Sequence, residues 1–188
     1  MPAVCFADDT ARDTAPAAAS VPRDGWRSNV TLGAAEFPSA ASGTNLGTGS
    51  SASVLLGREW MHDRIGIEAG LELESQSYGG SWYDMLFTDS ATINTYSVRP
   101  TVRVTYYSDH WMPYAALGAG YSYASESGTV AGMGVSASDN LLAIAASAGV
   151  SYRIGDRYAL GPYVRYEPCF EPALDQFVDF GVAFSVLR

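Results

Sequence analysis

The residues best equipped for chemistry in this 188-residue chain are three glutamates at even spacings, Glu68, Glu72 and Glu74. Two arginines thirty positions on, Arg99 and Arg103, repeat the even spacing. Clustered carboxylates can act as an acid–base pair or hold a hard cation. They can equally be charge-paired with arginines, and that reading is preferred here, because a paired buried charge is tolerable where a lone one is not. The only histidines, His62 and His110, each adjoin an aspartate, Asp63 and Asp109. A nucleophile needs its base within hydrogen-bond reach, and both histidines fall in short polar turns, so they read as turn residues. Asp84, Asp89, Asp139 and Asp175 are too scattered for a calcium loop. Cys5 and Cys169 have no metal or redox spacing. No lysine occurs, which excludes Schiff-base chemistry and a Walker-type phosphate loop. Eleven basic against twenty acidic residues, a net charge of −9 with no basic run, exclude nucleic acid as a partner.

The elements that must position these side chains are strands. Charged residues make up 16% of the chain, against about 25% in an ordinary soluble domain. From Ile65 to Leu73 the odd positions Ile65, Ile67, Ala69, Leu71 and Leu73 are apolar, while the even ones carry Gly66, Glu68, Gly70, Glu72 and Glu74. A helix would scatter both sets around its circumference; a strand separates them onto two faces. The same alternation recurs over 92–106, 141–154, 158–167 and 177–187, and more weakly over 26–36, 51–61 and 112–125, which makes eight strands. Short connections near 62–64, 107–110 and 155–157 alternate with long ones near 37–50, 79–91, 126–139 and 168–176. The pattern predicts an all-β, eight-stranded antiparallel up-and-down barrel over residues 26–188, with every long loop at one end and both termini at the other. Pro100 and Pro162 fall inside strands and predict bulges, because each removes a ladder donor. Upstream, residues 1–7 read as the remnant of a secretory signal peptide cut after Ala7, and 8–25 as a disordered lead-in.

A soluble barrel buries its apolar face; a membrane barrel turns that face outward around a polar lumen. Here the polar face mixes Gly, Ala, Ser and Thr with a few charges, which suits the narrow interior of eight strands. On the apolar face, Trp26, Trp60, Tyr106, Trp111, Tyr152 and Tyr158 gather near the short turns, and Tyr96, Tyr121, Tyr123 and Tyr166 near the long loops. Two aromatic girdles flanking aliphatic residues are what bilayer interfaces select. The barrel is therefore expected to cross a membrane, with lipid as its first partner.

Three stretches, HWMPYAALGAGYSY (110–123), YALGPYVRY (158–166) and FVDFGVAFSVLR (177–188), resemble the OmpA/OmpX-like eight-stranded outer-membrane barrels of Gram-negative bacteria. The last resembles the terminal recognition strand of that family, though it ends in Leu187-Arg188 rather than an aromatic residue. The resemblance implies an outer-membrane location with periplasmic termini. It also implies a non-enzymatic structural or adhesion-like role through four surface loops, with no cofactor and no metal. Three alternatives stand beside it: a lipid A-modifying barrel enzyme, a narrow channel, and a soluble ligand-binding barrel. The tip residues Trp82, Tyr83, Leu86 and Phe87 are a candidate contact for an extracellular partner. In the lumen, Glu68 with Arg103, Glu72 with Arg99, and Arg165 with Asp179 are expected to oppose one another as charge pairs closing the interior.

Overall fold

The computed structural model describes residues 24–36, 49–83, 88–130, 133–168 and 177–187. Eight antiparallel strands run β1 (Gly25–Glu36), β2 (Gly49–His62), β3 (Ile65–Tyr83), β4 (Thr88–Tyr106), β5 (Trp111–Val130), β6 (Met133–Ile154), β7 (Tyr158–Glu167) and β8 (Phe177–Val186). Each pairs with its sequence neighbours, and β8 returns to β1 to close the barrel. The short connections are tight turns. Asp63 adopts φ 53° between β2 and β3, and Gly155 adopts φ 63° between β6 and β7, conformations that Asp and Gly tolerate best.

The faces are inverted relative to a soluble protein. Arg99 and Glu68 are fully buried, while Leu32 is 62% and Trp26 68% exposed. Leu56, Leu71, Val98, Val102, Leu117 and Val182 join them in an aliphatic band around the outside. All ten aromatics expected at the girdles are exposed on that surface. The lumen is layered. Tyr107, Met112, Ala159 and Leu187 pack at the end where the short turns lie. Tyr114, Tyr163 and Ala183 lie in the middle, and Ala35, Tyr78, Ile93 and Phe177 at the far end.

Two expectations need correction. The segments 79–91 and 126–139 are not long loops. The β3–β4 ladder continues to Tyr83 opposite Thr88, and the β5–β6 ladder to Val130 opposite Met133. β4 and β5 stay paired as far as Ser90 opposite Thr129, so β3 to β6 rise together beyond the rim. The neighbouring ladders stop lower, at Ser50–Ser77 and at Ala146–Tyr166.

The prolines, second, make no bulges. Val98 faces Tyr121 and Thr101 faces Gly118 in one unbroken register, with only the pairing around Pro100 interrupted. Pro162 behaves alike: Gly149 faces Tyr163 and Tyr152 faces Leu160, while Pro162 stays paired with Val182 on its other side. A missing donor thus leaves a gap on one side of the strand without adding a residue. The strands approach closely there, since a Cβ on Gly120 would lie 2.1 Å from the Val98 carbonyl oxygen. Residues 1–7, most of 8–25, Cys5, Cys169, Leu86 and Phe87 lie outside the described residues, as do the side chains of Trp82 and Tyr83.

Candidate functional site: the charged lumen

Five arginines and six carboxylates are buried among the described residues: Arg27, Arg99, Arg103, Arg153 and Arg165, with Glu59, Glu68, Glu72, Glu74, Glu167 and Asp179. The alternation of the strands aims them inward, and small neighbours make room. At Gly149 on β6, for example, a Cβ would come within 2.7 Å of the Tyr114 ring.

The β3–β4 register opposes Glu68 to Arg103 and Glu72 to Arg99, and the β7–β8 register opposes Arg165 to Asp179. Opposition and bonding diverge in two of the three cases. Arg99 does face Glu72, at 3.7 Å, but its closer partners are Glu74 and Glu167, the latter at 2.9 Å. Glu68 and Arg103 make no ion pair; Asn29 of β1 lies between them. Its Nδ2 donates to both Glu68 oxygens at 3.1 Å, and its Oδ1 accepts from Arg103 Nη1 at 2.7 Å and from the Ser185 hydroxyl at 2.6 Å. The Arg103 guanidinium stacks 3.6 Å from the centre of the Tyr114 ring, a buried cation–π contact.

Arg165 does not bond Asp179 either. It reaches across the lumen to β3, where it pairs with Glu72 and Glu74, and it donates to the Ser53 hydroxyl at 3.2 Å. Asp179 instead accepts from Ser51 at 2.7 Å and Tyr163 at 2.8 Å. The physical reason is length: an arginine extends past its directly opposed neighbour to the far wall of a barrel this narrow. Nearer the short turns, Arg27 pairs with Glu59 at 2.8 Å, and the Tyr107 hydroxyl donates to the same carboxylate at 2.7 Å.

Sequence reasoning missed Asn29, Glu167, Tyr107, Tyr114 and Tyr163 as members of this network. Their inward parity was readable; their partners on non-adjacent strands were not.

The arrangement fills the lumen. The cavity among Asn29, Glu72, Arg103, Tyr163 and Arg165 measures about 20 Å³, room for roughly one water molecule. The two histidines lie outside this network. His110 stacks on Tyr152 with ring centroids 5.8 Å apart. The nearby Ser108 hydroxyl donates to the Trp111 carbonyl at 2.6 Å, which commits its proton to the turn. His62 is exposed at the end of β2.

Comparison with known proteins agrees with this architecture. Neisserial surface protein A superposes with a TM-score of 0.53 at 15% identity, over 87% of this chain and 95% of that one. Ail, the attachment invasion locus protein of Yersinia pestis, solved with the heparin analogue sucrose octasulfate, superposes at 0.50 with 14% identity, over 86% and 97%. Such identities show a shared fold. Comparison with curated proteins gives no match. The outer membrane protein beta-barrel domain family matches residues 14–169. That match spans most of the chain, and with the inverted faces and closed eight-stranded ring it makes the protein a member of the outer membrane protein beta-barrel domain family.

Proposed function

We propose that the protein is a non-enzymatic surface barrel, anchored in the outer membrane, that meets an extracellular partner through the walls and tips of its two raised hairpins. The observation that carries this reading is the four-stranded rise of β3 to β6 beyond the girdle of Tyr96, Tyr121, Tyr123 and Tyr166, above a lumen filled by ion pairs. From Met133 to Asn140 every residue of β6 is exposed, whichever face it occupies. A strand held out of both lipid and lumen offers its surface to the outside.

The termini then lie in the periplasm with the short turns, as bacterial barrels arrange them. The Ser108 hydroxyl beside His110 gives its proton to the Trp111 carbonyl, which disfavours acyl-transfer chemistry there. The hairpins also favour a kind of partner. Between Tyr78 and Val98, and between Ala124 and Leu142, no basic residue occurs, whereas Asp84, Asp89, Glu126 and Asp139 do. The anionic saccharide analogue bound by Ail therefore suits this surface poorly, and a neutral or basic protein surface suits it better.

Cells displaying the intact chain are compared with cells displaying a version in which both hairpins are shortened to the rim. Retention on a surface coated with basic protein should fall at least tenfold in the shortened version, and the lipid A mass spectrum should be the same in both. Equal retention, or loss of an acyl chain only with the intact protein, overturns the reading.

A further inference from the structure

Above Ala146 opposite Tyr166 the β6–β7 ladder ends, and β7 itself ends at Glu167 while β6 continues. A cavity of about 150 Å³ lies at this level, lined by Asn140 to Ile144 of β6, by Glu167 and Pro168 at the end of β7, and by residues of β3, β4, β5 and β8. Its walls are mainly apolar, with Ile93, Ala143 and Phe177 prominent. Apolar cavities of about this size take a single six-membered ring.

One polar group in the wall is unfinished. Gln76 is 2% exposed, and its Oε1 accepts from the Tyr78 hydroxyl at 2.8 Å and the Thr95 hydroxyl at 3.1 Å. Its Nε2 has no hydrogen-bond partner and is closed to an oxygen-sized atom in this side-chain position, so a ligand's acceptor meets it by turning the amide into the cavity. A buried amide donor without an acceptor is costly, and a ligand that supplied the acceptor would relieve it. The charge at the floor narrows the chemistry further. Glu167 is held there by Arg99, whose guanidinium is also engaged by Glu72 and Glu74. An anion would therefore meet a carboxylate with its counter-charge already committed, and a cation would find no use for the free amide donor.

We propose that this cavity binds a small neutral molecule with an apolar body of about one ring and a single hydrogen-bond acceptor, a carbonyl or ether oxygen, directed at Gln76 Nε2. The site is independent of whatever the hairpins engage. It lies just inside the upper tyrosine girdle, where such a molecule dissolved in the outer leaflet or the medium would meet the end of the β6–β7 ladder.

The test uses the folded full chain in detergent micelles with two probes of equal shape, cyclohexanone and methylcyclohexane, followed through methyl resonances. Cyclohexanone should shift Ile93, Leu141 and Ala143 saturably and show contacts to them, leaving the outer-band methyls of Leu56 and Val104 unmoved. Ala143→Phe, which fills the cavity, should abolish these effects; Ala124→Phe serves if that variant fails to give heat-modifiable gel mobility. Gln76→Leu should weaken cyclohexanone by about threefold to tenfold, the worth of one net hydrogen bond, while methylcyclohexane binds as before. Non-saturating shifts spread over the outer band, or binding that survives the filled cavity, overturn the site. Equal weakening of both probes in Gln76→Leu overturns the role of the amide.

Discussion

At the scale of single residues the lumen behaves as one network rather than a set of pairs. Arg165 is bonded to Glu72, Glu74 and Ser53 and is almost fully buried. Removing its charge leaves Glu72 and Glu74 to share Arg99 in the buried interior, and breaking a buried pair in this way costs about 3–5 kcal/mol. Arg165→Met should therefore lower the urea midpoint of the folded barrel substantially. Asp156→Ala makes the contrast: its contact with Arg153 is 3.7 Å long and its own side chain is 83% exposed, a surface ion pair worth about 1 kcal/mol at most. Equal midpoints for the two variants would show that the lumen charges are solvated. Asn29 extends the logic to a neutral residue. Asn29→Leu removes at once the acceptor for Arg103 and the donor for Glu68, and should destabilise more than Asn29→Asp, which keeps the bond to Arg103. A urea series on the two variants checks the order. The Glu72–Arg99 contact was legible in the sequence because the two residues oppose each other on adjacent strands. Asn29 was not, because its partners are set by how far the whole ring is sheared when β8 meets β1.

At the scale of elements, alternation identified the strands only where one face meets lipid. Ile65–Leu73 shows it because every second residue touches the bilayer band. Met133–Asn140 does not, since both faces of β6 are wet there and no apolar set is required; Gly, Ser and Asp then read as loop. The strands consequently run on beyond the point where hydrophobic patterning stops. The prolines illustrate the opposite failure, a local rule applied too strongly. A bulge is one way to absorb a missing donor, but around Pro100 the register is held from both sides of the gap by Val98–Tyr121 and Thr101–Gly118. The gap on the β5 side is then a missing hydrogen bond and nothing more. Pro100→Val should restore it and raise stability by about 1 kcal/mol, read as a higher urea midpoint and slower exchange of the new amide. A lower midpoint would mean that the close approach at Gly120 depends on the proline.

At the scale of the whole molecule, the inversion of faces and the charged interior fit the proposed anchor better than a conduit. Orientation is open to direct test. Protease added to intact cells should cut in the connections Tyr83–Thr88 and Val130–Met133, because strand-paired backbone resists cleavage; cleavage at Asp63 or Gly155 instead would reverse the orientation. Conductance tests the interior. A water path needs a continuous gap, and the mid-lumen cavity bounded by Arg165, Glu72 and Arg103 is about 20 Å³, its walls bonded to other lumen side chains. The reconstituted protein should therefore show no current steps in planar bilayers. Arg165→Ala combined with Glu72→Ala removes both sides of one crossing, leaves Glu74 its partner Arg99, and should introduce steps favouring cations, since the carboxylates buried in the lumen still outnumber the arginines. Steps from the parent protein at neutral pH would mean that the crossing opens spontaneously, and the channel reading would replace the anchor.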